Sequence, residues 1–418
     1  MTAGPAAPAA RVAWDAAFHH RDFRLFLAAR FVSVVGIQMQ SVAIAWQVYS
    51  ITGRPMSLAW VGLAQFFPVA SLSLLAGQAA DRFRRRKILM LCQAAMAALS
   101  AALFVVARAG TTHVAPIYAV LVGIGVARAF LGPANQSILP SLVPVSDFGN
   151  AVAWGSSSWQ VATVLGPTLG GILYATLGGA AGVYSVASCC GLGALALITA
   201  MSGRPAAASA SARARSSIFD GVRYVRGNPI VLGAISLDLF AVLLGGATAL
   251  LPVYARDILH LGPWALGALR SAPAAGAAVT AIVLALRPIE GRAGAKMFAG
   301  VAAFGAATIV FGLSRSFLVS LVALVVLGAA DMVSVFVRSA LVQLATPDPM
   351  RGRVSAVNMV FIGASNELGE FESGVTAAWL GTIPSVVVGG LGTLLVVAIW
   401  MLRFPQLRRI DRLNDAQP

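Results

Sequence analysis

Charged residues are scarce in this chain. Only 11% of its 418 residues are Asp, Glu, Lys or Arg, whereas 58% are hydrophobic; an average soluble domain is roughly a quarter charged. Three cysteines in apolar stretches and four histidines near stretch ends or in tails match no metal, redox or catalytic spacing. No G-x-x-x-x-G-K-[ST] loop for nucleotide phosphates is present. We therefore do not expect an ordinary soluble fold or an enzyme, and we expect no bound metal or cofactor. The cysteines should be small buried hydrophobic residues.

What the sequence does contain is a series of long apolar stretches. Each is long enough to cross the roughly 30 Å hydrocarbon core of a bilayer as a helix of about 20 residues. Twelve such stretches begin near Phe23, Met56, Ile88, Val114, Val152, Ala180, Ile230, Trp264, Met297, Phe317, Ser355 and Ile383. The sequence thus predicts an all-α membrane protein with twelve transmembrane helices.

Basic residues are distributed unevenly between alternate loops. The net charge of +15 could suggest nucleic-acid binding, but 21 of the 30 Lys and Arg fall in the tails and loops of one side. The other side holds Arg54, Arg108, Arg256 and Arg315, and five more lie within or at the edge of stretches. Because cytoplasmic loops carry the excess of Lys and Arg, we expect both termini in the cytoplasm, lipid contact and no nucleic-acid partner.

The chain divides near its middle. A polar interruption at 203–228 separates two halves, 23–202 and 229–403, flanked by cytoplasmic tails at 1–22 and 404–418. We read 1–22 as a tail and not a signal peptide, and the end of the interruption as an amphipathic helix on the membrane surface. At an offset of 203 residues, identities recur between the halves: Gly125, Ala127, Pro144, Gly149 and Ala153 match Gly328, Ala330, Pro347, Gly352 and Ala356. This pattern favours two pseudo-symmetric six-helix repeats.

Three motifs stand out in the first half. A basic turn after the second stretch reads GQAADRFRRRK, from Gly77 to Lys87; Gly77 would allow close helix approach, and a topology anchor is the simplest reading of its cations. The fourth stretch reads GVARAFLGPANQ and carries Arg128 among apolar residues, where an arginine is costly unless it is paired or faces water. The fifth reads VATVLGPTLGG, and its proline and small residues predict a kink and a close helix contact.

These motifs resemble those of the major facilitator superfamily. Gly77, Asp81, Arg82, Arg85 and Arg86 match its G-x-x-x-D-R-x-G-R-R signature, with Arg84 in place of the second glycine. Gly166, Pro167, Gly170 and Gly171 are similar to its exporter pattern, and Arg128 with Gly132 to a further feature. The runs VARAFLGPANQSILPSLVP and PDPMRGRVSA resemble the enterobactin-exporter-like branch, also known as transmembrane secretion effectors, which includes macrolide and other drug efflux proteins.

The resemblance implies roles for individual residues. It implies that Asp81 and Arg82 help to latch the cytoplasmic side while the cavity opens outward. It also implies that the first, fourth, seventh and tenth helices line a central cavity. The candidate cavity residues are then Arg30, Gln38, Trp46, Gln47, Arg128, Asp238, Asp331 and Arg338.

Carboxylates inside the predicted helices are the candidates for proton coupling. Five of the 15 acidic residues fall there, and such costly placement indicates function. The proton-coupling candidates are Asp238, Asp331, Glu367 and Glu370. Glu367 and Glu370 share a helix face, although a structural cluster with Ser365 and Asn366 is an alternative.

Two pairings involving the tenth helix stay open at this point. Asp331 is equivalent to Arg128 under the 203-residue offset, so the two could pair across the cavity. Arg338 lies near a helix end, where snorkelling to the membrane surface would explain it as well as function does.

The expected function is export of a small organic molecule, siderophore-like or drug-like, from a bacterial cell. We expect a monomer in the cytoplasmic (inner) membrane that uses proton antiport and alternating access. An importer or a lipid or metabolite transporter of the same fold is the alternative, and a non-transporting receptor is a more distant one.

Overall fold

The structure is a computed structural model that describes residues 15–202, 218–287, 289 and 291–412, and nearly all of these are helical. The first half contains α1 (Arg21–Thr52), α2 (Pro55–Arg82), α3 (Arg85–Arg108), α4 (Ala115–Ile138), α5 (Phe148–Thr176) and α6 (Ala180–Thr199). The second contains α7 (Ile218–Gly227), α8 (Pro229–Leu244), α9 (Pro263–Leu286), α10 (Ala293–Leu313), α11 (Phe317–Leu344), α12 (Asp348–Leu380), α13 (Thr382–Arg403) and α14 (Pro405–Arg409).

Ten of the helical segments are long and apolar enough to cross a membrane. The other two long helices are α5, with 29 residues, and α12, with 33. At 1.5 Å per residue both exceed the roughly 30 Å of a bilayer core, but both carry an unusual share of polar residues. The predicted all-helical membrane fold is confirmed, and the count of twelve spans is consistent with it.

The two halves repeat the same helix packing. In the first half, α1 packs against α5 and α6, α2 against α4, and α3 against α4 and α6. In the second, α8 packs against α12 and α13, α9 against α11, and α10 against α11 and α13. Contacts between the halves are equally symmetric, because α5 packs against α9 and α2 against α12.

Beyond Leu244, the segment that begins with α8 does not continue as a regular α-helix. After Leu244 the chain passes through a 3-10 turn at Ala247–Leu250 and ends in a π-helical turn, Tyr254–Ile258. Gly246 lets this segment pack closely on α12, because a Cβ there would lie 2.6 Å from the backbone of Gly369. π-Helical turns are frequently found at functional sites.

The bundle has two ends that can be told apart. The end holding residues 15–20, α7 and α14 is called here the terminal face, and the end holding the short loops at 53–54, 259–262 and 314–316 is the distal face. On the terminal face, Val225 is buried and Val222 packs against the same apolar cluster, so α7 lies with its apolar side on the bundle. The residues from 203 to 217, the first part of the predicted linker, lie outside the described chain.

The expectation that all three cysteines are buried is wrong for Cys189 and Cys190. Cys92 is buried, but Cys190 is only partly buried and Cys189 is exposed. Both lie on α6, where Cys190 packs against Gly36 of α1 and the apolar cluster of the first half, while Cys189 lies at the surface of the bundle.

Candidate functional site

The glycines of α5 bring it into backbone contact with α1. A Cβ on Gly166 would lie 2.4 Å from the Cβ of Gln38, and a Cβ on Gly170 would lie 2.7 Å from the carbonyl oxygen of Met39. Real Cβ atoms do not approach so closely, so only glycine fits at either position. The predicted close contact of this segment is present, and Gln38 is part of it.

The same segment also joins the two halves of the molecule. A Cβ on Gly171 would lie 2.6 Å from the carbonyl oxygen of Pro263, and a Cβ on Gly267 would lie 2.5 Å from that of Pro167. Next to this contact, Thr168 donates a hydrogen bond to Ser271 in α9 over 2.9 Å. The half-to-half boundary at α5 and α9 therefore rests on backbone packing.

At the distal face, α1 and the π-helical turn form a polar contact that we call the distal lock. The Tyr49 hydroxyl donates a hydrogen bond to the carboxylate of Asp257. Arg256 donates to the backbone oxygen of Tyr49 over 3.3 Å, and its guanidinium lies 5.7 Å from the centre of the Tyr49 ring. Three groups from two halves therefore hold this end of the molecule together.

A second boundary, between α2 and α12, is also closed toward the distal face. A Cβ on Gly374 would lie 2.6 Å from the Cβ of Ala59, and Trp60 stacks edge to face on Phe371 with ring centres 6.0 Å apart. Four hydrogen bonds, one ion pair and one ring contact that join the halves lie between the helix middles and the distal face.

Two ion pairs near the terminal face each lie within one half. His20 and Asp147 pair at 2.9 Å, and this hydrogen bond lowers the pKa of the Asp147 carboxyl. In the second half, Arg353 lies 3.5 Å from Asp220. The bundle is thus held together at one end and separated at the other.

The basic turn after α2 also makes its hydrogen bonds within one half. Arg86 donates to the carbonyl oxygens of Ile198 and Thr199 at the end of α6, over 3.1 and 2.7 Å. Arg82 is exposed and Arg85 is partly buried, while the side chain of Asp81 lies outside the described part of the structure. No atom lies within 4 Å of a Cβ built on Gly77. The close approach predicted at Gly77 is therefore absent, because the helix ends on this face stand apart.

Charges from both halves meet in the interior. Arg128 on α4 lies 3.8 Å from Glu367 on α12 and donates a hydrogen bond to Gln65 on α2 over 3.1 Å. Glu370 and Arg270 also lie within electrostatic range of Glu367. Among the described residues, Arg128–Glu367 is the one ion pair that joins the halves.

The alternative of a structural cluster around Glu367 is wrong. Ser365 and Asn366 both donate hydrogen bonds to the carbonyl oxygen of Ile362, over 3.0 and 2.9 Å, and not to a carboxylate. A short polar side chain on a helix can reach its own preceding turn. The two glutamates are consequently left to interact with the charged residues of other helices.

A second charged group lies within the C-terminal half. Arg338 is 3% exposed and forms an ion pair with Asp238, which is 8% exposed. Snorkelling therefore does not explain Arg338. A small pocket beside the pair is lined by Asp238, Ala241, Val242, Val301, Phe304, Asp331 and Ser334.

The pairing considered between Arg128 and Asp331 does not occur. Arg128 contacts Glu367 and Gln65, and among the described residues no ion pair joins it to Asp331. The reason is geometric: α4 packs on α2 and α3, while α11 packs on α8, α9 and α10. Equivalent positions on the two repeats face the interior from separate sides.

The remaining cavity candidates lie on α1. Arg30 lies over the ring of Trp159 on α5, 5.5 Å from its centre. Gln47 accepts a hydrogen bond from Tyr184 over 2.7 Å, within the first half. Trp46 packs edge to face on Tyr174 and against the apolar cluster at the distal end. The structure thus places Arg30 apart from Gln47 and Trp46, which both serve helix packing.

Sequence reasoning missed several residues of this arrangement. Gln65 and Arg270 are polar residues inside apolar helices, and that placement was a signal that could have singled them out. Trp159 gave no such signal, because α5 also carries Trp154 and several polar residues. Tyr49 and Asp257 carried no such signal, because they lie at helix ends where polar residues are common.

Comparison with known proteins places this geometry in a family. The profile of the transmembrane secretion effectors matches residues 12–417. The chain belongs to this family. It is similar to the enterobactin exporter EntS of Citrobacter koseri, with 25% identity over 394 residues that cover 93% of each chain. It is also similar to the multidrug efflux pump Tap of Mycobacterium tuberculosis, with 27% identity over 407 residues, 93% of this chain and 94% of the relative.

Solved structures share the fold of this transmembrane secretion effector. A bacterial homologue of the human lysosomal transporter Spinster, in an inward-facing and unoccupied conformation, superposes with a TM-score of 0.74 at 14% identity, covering 94% of this chain and 99% of that one. A D-xylose–proton symporter gives 0.64 at 15% identity, covering 94% and 98%. The protein is a multi-pass membrane transporter of the major facilitator type that acts on small molecules, and it is not an enzyme.

Proposed function

We propose that this transporter exports a small amphiphilic organic molecule from the bacterial cytoplasm by proton antiport. The observation that carries the proposal is the Arg128–Glu367 pair, which places a proton-accepting group at a contact between the two halves. A proton on Glu367 would neutralise its charge and remove the attraction to Arg128. Protonation and movement of the halves are thereby linked.

The orientation follows from the distribution of basic residues. The terminal face carries most of the Lys and Arg, and cytoplasmic loops hold that excess. With this face in the cytoplasm of a cell whose inner membrane holds the protein, the structure is an inward-open state. The distal lock closes the outside, and the separated helix ends open the cavity to the cytoplasm.

Alternating access then requires the opposite arrangement in a second state. The distal lock must break, and the terminal ends of α2 and α12 must meet, so that Gly77 gains the close neighbour it lacks here. The basic turn from Asp81 to Arg86 would hold that second state closed on the cytoplasmic side. One chain carries both halves, so a monomer suffices for this cycle.

The proton-coupling residues fall into two groups with different roles. Glu367 lies near the arginines of both halves and near Glu370, whereas Asp238 is already paired with Arg338 inside the second half. Asp331 lies in the pocket beside that pair, and among the described residues it has no ion-pair partner. We assign proton binding to Glu367, Glu370 and Asp331, and assign to Asp238 the task of holding Arg338.

Export is favoured over import by two observations. The relatives include an enterobactin exporter and a multidrug efflux pump, and the glycine segment of α5 is similar to the pattern associated with exporters, with Ala162 in place of its first glycine. An importer or a lipid or metabolite transporter would use the same fold, so the direction of flux decides between them.

The experiment is an efflux assay in cells that lack their own pumps, with drug and siderophore substrates. We expect efflux that stops when the proton gradient is collapsed and that is lost in Asp331→Asn. Accumulation of substrate in energised cells would show an importer instead. Absence of flux with every compound would favour a receptor.

A further inference from the structure

The interior charges are divided unequally between the halves. Away from the helix ends, α1 to α6 carry Arg30 and Arg128 and no carboxylate. The interior carboxylates of the other half are Asp238, Asp331, Glu367, Glu370 and Glu372. Because the second half also carries Arg270 and Arg338, one wall of the space between the halves is cationic, and the other carries both signs with an excess of carboxylates.

Of the two arginines on the cationic wall, Arg30 has no carboxylate partner among the described residues. Arg128 is paired with Glu367, but none of the described ion pairs includes Arg30. A guanidinium within the membrane is costly unless it is paired or faces water, and such a residue indicates a functional site.

Trp159 provides a flat surface beside this cation. The Arg30 guanidinium lies 5.5 Å from the centre of its ring, and Gly155 leaves room for the cation, since a Cβ there would lie 3.2 Å from an Arg30 nitrogen. The tryptophan is nevertheless 49% exposed. The guanidinium thus keeps N–H donors free, and the indole keeps free surface for another ring.

The position of Trp159 on α5 sets it apart from the lipid. Trp159 shares one side of the helix with Ser156 and Thr163, at spacings of three and four residues. Most exposed apolar residues of α5 lie on another side, namely Val161, Leu165, Leu169 and Ile172, whereas Phe148 and Val152 share the side of Trp159 in the first two turns of the helix. The polar side, which also faces Arg30, borders the space between the halves.

We propose that Arg30 and Trp159 form a binding subsite for an aromatic anion, such as a ring that bears a carboxylate. The planar guanidinium presents paired N–H donors that match a carboxylate, and the indole stacks on the attached ring. This inference rests on the proposed export function and names the substrate class that its cavity accepts.

The test is equilibrium binding to the purified full-length protein in nanodiscs of phosphatidylcholine alone. The probes are 2-naphthoate and its uncharged counterpart 2-naphthamide. Because charge-assisted hydrogen bonds are the stronger ones, we expect 2-naphthoate to bind about tenfold more tightly. Arg30→Gln should abolish that preference without weakening 2-naphthamide, and Trp159→Leu should weaken both probes.

Matched controls separate the subsite from general effects. Trp379→Leu removes an exposed tryptophan at the distal end of α12, and Arg108→Gln removes an exposed arginine at the distal end of α3; neither should change binding. Arg30→Lys should keep part of the preference, since it keeps the charge. Equal affinity for both probes, no binding of either, or an unchanged preference in Arg30→Gln would overturn the proposal.

Two further comparisons identify the source of the anion and test the subsite independently of the export proposal. If phosphatidylglycerol in the nanodisc displaces 2-naphthoate and Trp159→Leu does not weaken 2-naphthoate, the subsite takes lipid headgroups through Arg30, and the aromatic-anion assignment is wrong. The assay needs no gradient, so binding without proton-driven efflux would contradict only the export proposal. Efflux without selective binding would contradict only the subsite.

Discussion

At the scale of single residues, the interior charges divide into one pair that bridges the halves and one pair that lies within a half. The side chains of Arg128 and Glu367 are partly exposed and their charged atoms lie 3.8 Å apart, whereas the Arg338–Asp238 pair is almost fully buried. A buried pair holds its helices together, while an accessible pair can open and close. The two pairs therefore predict different responses to substitution.

We predict that Glu367→Gln uncouples transport from protons. The amide cannot release a proton, so net uphill export in proteoliposomes should fall to the level of protein-free vesicles, while exchange of labelled for unlabelled substrate continues. Glu372→Gln is the matched control on the same helix and should retain export. Equal loss in both variants would contradict the assignment.

We predict that Arg338→Gln destabilises the protein more than removal of both charges. Breaking a buried pair on one side leaves an uncompensated charge and costs about 3–5 kcal/mol. Thermal unfolding in detergent should therefore show a lower midpoint for Arg338→Gln than for Asp238→Asn combined with Arg338→Gln. A double variant as unstable as the single one would show that Asp238 does not need the arginine.

At the scale of secondary structure elements, the contacts between halves depend on glycine where they are closest. Gly171 and Gly267 allow α5 and α9 to meet through their backbones. The Gly-Pro-x-x-Gly-Gly pattern was enough to predict a close contact, but not its partner. The pairing of α5 with α9 depends on how the two repeats assemble, which no local pattern encodes.

Gly171→Val should abolish or strongly reduce transport. The added atoms would meet the carbonyl oxygen of Pro263 at less than contact distance, so α5 and α9 must separate. Gly193→Val on α6 is the control, because no atom lies within 4 Å of a Cβ there. Transport rates of the two variants are measured at matched protein levels. Loss of transport in Gly171→Val alone supports the specific contact, and equal loss in both variants would show that any larger side chain in a helix impairs transport.

The distal lock should be tested through the distance between the halves. Asp257→Asn weakens the Tyr49 hydrogen bond to a charged acceptor, and Tyr49→Phe removes it. With the three native cysteines replaced by alanine, spin labels at Arg54→Cys and Arg315→Cys, on distal loops of different halves, should then report a larger population of long distances. Unchanged distances in both variants would mean that backbone packing alone keeps this face closed.

At the scale of the whole molecule, apolar length, basic loops and a central polar break were enough to predict the helical membrane fold and its repeat. The site was only partly predictable. Arg128 and Glu367 were singled out because a charge in an apolar helix is conspicuous, yet their pairing was not, since it joins helices of different halves. Pseudo-symmetry suggested Asp331 as the partner, but the two repeats do not place equivalent residues face to face.

The central claim is that substrate and protons move in opposite directions through one cavity. The direct measurement is proton flux in proteoliposomes with a trapped pH-sensitive dye, during outward movement of a substrate found in the efflux assay. We predict a proton flux opposite to the substrate that disappears in Glu367→Gln. Protons that move with the substrate, or no proton flux at all, would contradict the antiport account.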